Sequence, residues 1–161
     1  MKILLVILIM LLFFIFGYMY KQNIKSQYDF MVYLKNYSNF LSSNISLFKN
    51  NFVKITDDFL NLNSQKNAKF NKIFVKNGEI YSISQKNIDF FLKNEQDRQV
   101  VFSFLSTVGN NDYEYENNKI NSFIIYLNER EKVYMDNIKL KGELTLKILI
   151  SIGLVVSILV W

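Results

Sequence analysis

A chain of 161 residues without cysteine or histidine has no access to disulfides, thiolate metal sites, cysteine nucleophiles or any histidine-based acid–base or triad chemistry. Its five glycines, Gly17, Gly78, Gly109, Gly142 and Gly153, never cluster, which excludes a phosphate-cradling loop and a dinucleotide fingerprint. The net charge of +5 is modest and much of it adjoins two apolar ends, so affinity for anionic lipid accounts for it better than binding of RNA or DNA.

Residues 1–20 read MKILLVILIMLLFFIFGYMY, with no charge after Lys2. From Ile3 to Tyr20 the helix would cover about 27 Å, close to the hydrocarbon thickness. A cleaved signal peptide also begins with a lysine and an apolar run, but no small-x-small cleavage pattern follows here. Tyr18 and Tyr20 suit an interfacial belt, so the segment reads as an uncleaved anchor.

Behind it, Phe30, Leu34, Tyr37, Leu41, Ile45, Phe48 and Phe52 form one apolar stripe at three- and four-residue spacing, an amphipathic helix continuous with the anchor. Shorter helices follow. Ile55, Phe59 and Leu62 mark a second, with Asp57 and Asp58 early in it, and Phe70, Ile73 and Phe74 a third, closed by Asn77-Gly78 as a left-handed cap. Residues 79–83 alternate as a strand does, but a single strand lacks a partner, so they read as a connector. Ser84 would cap a fourth helix containing Ile88, Phe91 and Leu92, and Val100, Val101, Phe104, Leu105 and Val108 mark a fifth from Gln96 to Val108.

Gly109-Asn110-Asn111-Asp112 breaks the periodicity. Beyond it Tyr113, Ile120, Ile124, Leu127, Tyr134, Ile138 and Leu144 share a face, predicting a long helix from about Asn111 into the C-terminal apolar run. Ile148 to Trp161 alone would cover only about 21 Å. Starting at Leu144 admits Lys147, whose amine reaches the headgroups while its stem lies along apolar surface, and Trp161 would sit at the far interface. Lys21 and Lys25 follow the first span and Lys139, Lys141 and Lys147 precede or enter the second, whereas the distal side has only Lys2 and the amino terminus, which predicts a cytoplasmic middle. The expected architecture is all-α: an antiparallel helical bundle over residues 21–143 between membrane helices at 1–20 and 144–161.

The Gly109–Asp112 turn is the leading candidate for a functional surface, although the residues also suit plain capping. Gly109 would end one helix in the left-handed region and Asn111 or Asp112 would cap the next, with Glu114 and Glu116 complementing the helix dipole. The acidic pair Asp57-Asp58 reads as an ordinary helix start in preference to a magnesium site, and Phe90, Phe91, Tyr113 and Tyr115 as packing in preference to a base-stacking surface. No catalytic, metal or cofactor site is expected.

This layout resembles the stage III sporulation protein AB family, whose members begin with a membrane span, carry a helical cytoplasmic domain of this size and end in a short span. The family has a turn of the form leucine-Gly-x-Ser-Asp, then a glutamine four residues on and an isoleucine four further. In TVGNNDYEYENNKI, Gly109 and Asp112 match, Asn111 stands at the serine, Glu116 at the glutamine and Ile120 at the isoleucine. The tail GELTLKILISIGLVVSILV is similar to the family's closing helix. In the first helix Leu41 and Ile45 keep an apolar pair, whereas Asn44 replaces a glutamate and Asn50-Asn51 a Thr-Pro turn.

The resemblance implies a fold similar to the F-type platform proteins of type II secretion and type IV pili, and no enzyme. It implies membership of the complex linking mother cell and forespore, in the mother-cell membrane around the forespore. Partners would be the other subunits, a hexameric ATPase among them, and the lipid bilayer, with no nucleic acid, small-molecule substrate or cofactor. Gly109, Asn111, Asp112 and Glu116 would be the partner-interaction residues. The competing reading is a membrane-anchored sensor whose helical domain faces outward; a carboxylate or serine hydrolase has no supporting spacing.

Overall fold

With no proline to break it, the N-terminal apolar run and the amphipathic stripe behind it form one helix, α1 (Lys2–Asn44), in the computed structural model, which describes residues 2–44, 52–63, 67–78, 80–109 and 112–160. There follow α2 (Phe52–Leu62), α3 (Ala68–Asn71), the strands β1 (Phe74–Asn77) and β2 (Ile80–Ile83), α4 (Gln85–Phe91), α5 (Glu95–Thr107) and α6 (Tyr113–Asn137). A π-helical segment (Ile138–Glu143) joins α6 to α7 (Leu144–Val160). The chain forms two compact units, one of Met1–Tyr28 with Glu131–Trp161, the other of Asp29–Arg130.

The central unit, Asp29–Arg130, is a helical assembly, as the periodicity predicts. Phe30, Leu34, Tyr37 and Leu41 of the stripe are buried, Ile45 and Phe48 lie outside the described residues, and Phe52, expected in the same helix, opens α2 instead. Its core is rich in aromatic rings. Phe30 meets Phe91 at 4.9 Å between centroids and Phe70 at 5.4 Å, and Tyr37 lies 5.0 Å from both Phe59 and Phe74. Buried hydroxyls find partners. Thr56 donates to the Phe52 carbonyl at 3.0 Å, which leaves its oxygen to accept from Tyr37, also at 3.0 Å. Phe91 is thus core, as expected, but Phe90, Tyr113, Tyr115 and Leu62 are exposed.

Residues 70–83 depart from expectation. The third helix is one turn long, and the chain then enters an antiparallel hairpin in the register Phe74↔Ile83 to Asn77↔Ile80. The supposed connector is β2, its partner the residues assigned to the helix. Gly78 does take a positive φ of 65°, but in the turn between strands and not as a helix cap. Physically, β-branched Ile73 and Val75 favour an extended chain, and the pairing supplies the ladder bonds that one strand alone lacks. The base of the hairpin is fastened by Ser84 N donating to the Ile73 carbonyl at 2.8 Å and Asn87 Nδ2 donating to the Lys72 carbonyl at 2.6 Å. Its strands are tied to α2 by Asp57, which accepts from Lys76 Nζ at 2.8 Å and from the Tyr81 hydroxyl. Those two bonds hold the Asp57 carboxyl below the usual carboxylate range. Burial and the same carboxylate push the Tyr81 phenol up to about 12. Ser84 does occupy the N-cap of α4, but its hydroxyl makes no capping bond.

In the other unit the start of α1 and the end of the chain pack as two antiparallel helices along small residues. A Cβ on Gly17 would stand 2.7 Å from Leu146 Cδ1, and one on Gly153 3.1 Å from Phe13 Cβ. Gly142 faces Lys21, and Lys21 Nζ lies 3.9 Å from Glu143 Oε1. Around this seam Ile3, Leu4, Ile7, Leu8, Leu154, Ile158 and their neighbours are exposed, and both helices are long and apolar enough to cross a membrane.

The π segment was not foreseen. Glu116, Ile120, Phe123, Leu127 and Tyr134 are buried along α6 at heptad-like spacing, but the next buried position is Gly142, eight residues after Tyr134. A wide turn absorbs the one residue in excess of a heptad.

Candidate functional site

The turn between α5 and α6 is built as its residue types dictate. Val108 closes α5 with its N–H on the Phe104 carbonyl at 2.9 Å, and Gly109 follows at a φ of 91°, in the region where only glycine is unstrained. A Cβ at Gly109 would also stand 2.6 Å from Phe52 Cγ, so the close approach of α2 demands glycine a second time. Asp112 caps α6. Its Oδ1 accepts from Tyr115 N at 3.0 Å and its carbonyl accepts from Glu116 N at 3.0 Å.

Of the four residues assigned to partner contact, Gly109 and Asp112 are therefore exposed on one turn, while Asn111 lies outside the described residues. Glu116 is in the first turn of α6 next to its cap, but it is buried, with 2% of its surface accessible. Gly109 and Asp112 have structural duties that account for them.

Side chains also hold α5 and α6 together. Phe104 and Phe123 stack at 3.8 Å between centroids. Lys119 Nζ donates to Thr107 Oγ1 at 2.7 Å, joining the end of α5 to α6. Deeper, Asp97 is 1% exposed and accepts from Arg130 Nη2 at 2.7 Å and from the Tyr126 hydroxyl. Burial, and next the bond to Asp97, push the Tyr126 phenol well above its ordinary value, so it stays a donor. Asn94 prepares this carboxylate by accepting from Asp97 N at 3.0 Å as the N-cap of α5. That Asn-x-x-Asp spacing is a capping signal visible in the sequence. The reach of the side chain to α6 is not.

Between the two helices lies an open groove of about 460 Å³, with Val100, Ser103, Phe104, Lys119, Phe123 and Tyr126 among its lining residues. Its walls are mostly apolar, with Lys119 the one cationic side chain among them; Lys119 donates to Thr107, and Ser122, which also lines the groove, donates to the Asn118 carbonyl at 2.9 Å. Among the described residues no group of three or more Asp and Glu is placed to hold a metal ion. Asp57, the better half of the acidic pair, is engaged by Lys76 and Tyr81 instead.

The family model described as stage III sporulation protein AB fits residues 2–161. No curated protein and no solved structure matches the chain.

Proposed function

The chain belongs to the stage III sporulation protein AB family and is a sporulation protein, and on that premise we propose that it is a non-catalytic platform subunit of a secretion-like complex linking mother cell and forespore. In this role the helical unit faces the mother-cell cytoplasm and transmits work from a separate hexameric ATPase to membrane-embedded and ring-forming subunits. The observation that carries the reading is the family match over residues 2–161, on a chain with two helices long and apolar enough to cross a membrane and a helical unit between them. The buried Asp97–Arg130–Tyr126 network and the stacked Phe104–Phe123 pair support it, because a part that relays force needs helices that do not slide past one another.

The test is affinity purification of the tagged full-length protein from sporulating cells after brief cross-linking. The ATPase is expected among the captured subunits, and in cells lacking this gene the remaining subunits are expected to fail to assemble. Capture without any ATPase, together with normal spore yield in the deletion strain, would sink the platform role.

A further inference from the structure

The distribution of charge singles out one place on the molecule. Residues 26–138 hold thirteen Lys and Arg against thirteen Asp and Glu and are neutral. Apart from Lys2, the whole excess comes from Lys21, Lys25, Lys139, Lys141 and Lys147, offset only by Glu143. All of these residues belong to one unit, at the stretch where α1 meets the π segment and the start of α7. Gly142 lies against Lys21, whose Nζ reaches toward Glu143, while Lys25, one turn further along α1, shares a face with Lys21. Lys25, Lys139, Lys141 and Lys147 are exposed, and none of the four makes an ion pair among the described residues.

What could satisfy these cations is constrained by what adjoins them. Tyr18, Met19 and Tyr20 on α1, and Leu140, Leu144 and Ile148 beside the π segment, are exposed apolar residues in the same unit. An acidic protein or a nucleic acid would satisfy the amines and leave those side chains in water. An amphiphile with an anionic head and apolar tails satisfies both.

We propose that this lysine collar is a binding site for anionic phospholipid headgroups, with the tails lying on the apolar surface just beyond it. The assignment does not depend on the platform role. It rests only on the two helices crossing a bilayer, and the collar then anchors the pair of helices at a defined depth.

The test uses purified full-length protein in neutral detergent, titrated with phosphatidylglycerol or phosphatidylcholine and read by native mass spectrometry. Phosphatidylglycerol is expected to bind at least about tenfold more tightly. The variant carrying Lys21→Gln, Lys25→Gln, Lys139→Gln and Lys141→Gln should bind both lipids alike. A control carrying Lys69→Gln, Lys72→Gln, Lys86→Gln and Lys93→Gln, with the same loss of charge on the other unit, should keep the full preference. Circular dichroism confirms that both variants fold. Persistence of the preference in the collar variant, or its equal loss in the control, overturns the proposal. So does release of the lipid by millimolar inorganic phosphate, which would make this a free-anion site. Failure to bind either lipid likewise overturns it, and leaves the platform role to be judged by its own purification test.

Discussion

At Gly109 backbone and packing impose the same choice, since its φ of 91° excludes a side chain on conformational grounds and Phe52 excludes one on steric grounds. Gly109→Val is therefore expected to lower stability by about 1–2 kcal/mol or more, whereas Asp112→Asn should change little because asparagine accepts the same Tyr115 N–H. Urea unfolding in detergent followed by circular dichroism checks both. If Asp112→Asn stays folded but loses a partner in the purification above, the carboxylate is a contact as well as a cap. A second residue-scale prediction concerns acid. The folded-state pKa of Asp57 is depressed by Lys76 and Tyr81, so its contribution is present above the unfolded value and is lost as pH falls through the lower folded one. Thermal stability should decline below about pH 4, and Asp57→Asn should flatten that decline. At this scale the sequence was partly legible. Gly109 and Asp112 act on their own neighbours and announce themselves by type. Asp97 bonds to Tyr126 and Arg130 across 29 and 33 residues, and nothing local distinguishes it from a solvated first-turn carboxylate.

At the scale of elements, most helices could be read because a buried face repeats every three to four residues. The hairpin could not. Each of its strands has four residues, and each is intelligible only through the other. The pairing of α1 with α7 likewise depends on which glycines meet which large residues. Gly17→Ile should force the helices apart, given the 2.7 Å approach of Leu146. In this cysteine-free chain the effect is measurable directly. Cysteines introduced at Phe13 and Gly153, where a Cβ added at Gly153 would stand 3.1 Å from Phe13 Cβ, should oxidise to a disulfide in membranes. Adding Gly17→Ile should suppress it, and an undiminished yield would show that the seam does not set the spacing.

For the whole molecule, the excess of lysine on the inner side of both apolar segments is expected to hold the central unit in the cytoplasm. The C-terminal segment should be the more sensitive of the two, being shorter and carrying Lys147. Val155→Lys places a charge on an exposed position of α7 and is expected to add about 2.5–3.5 kcal/mol to insertion. A cysteine at Leu159 should then become reactive to an impermeant maleimide from the cytoplasmic side while the protein stays membrane-bound through α1. Full function with that side exposed would mean that α7 need not cross the bilayer.

The π segment gives the last helix some slack. A turn holding one residue beyond the α-helical count is a place where the chain can lose a residue without losing register. Deleting exposed Leu140 should let residues around it close into α-helix and bring Tyr134 and Gly142 to heptad spacing, so the melting temperature is expected to hold or rise. Deleting Ile125, also exposed, from α6 removes a residue where there is none to spare, rotates everything beyond it by about 100° and should lower the melting temperature sharply. Single-residue length variation in this helix is therefore expected to be tolerated within the π segment and not within α6.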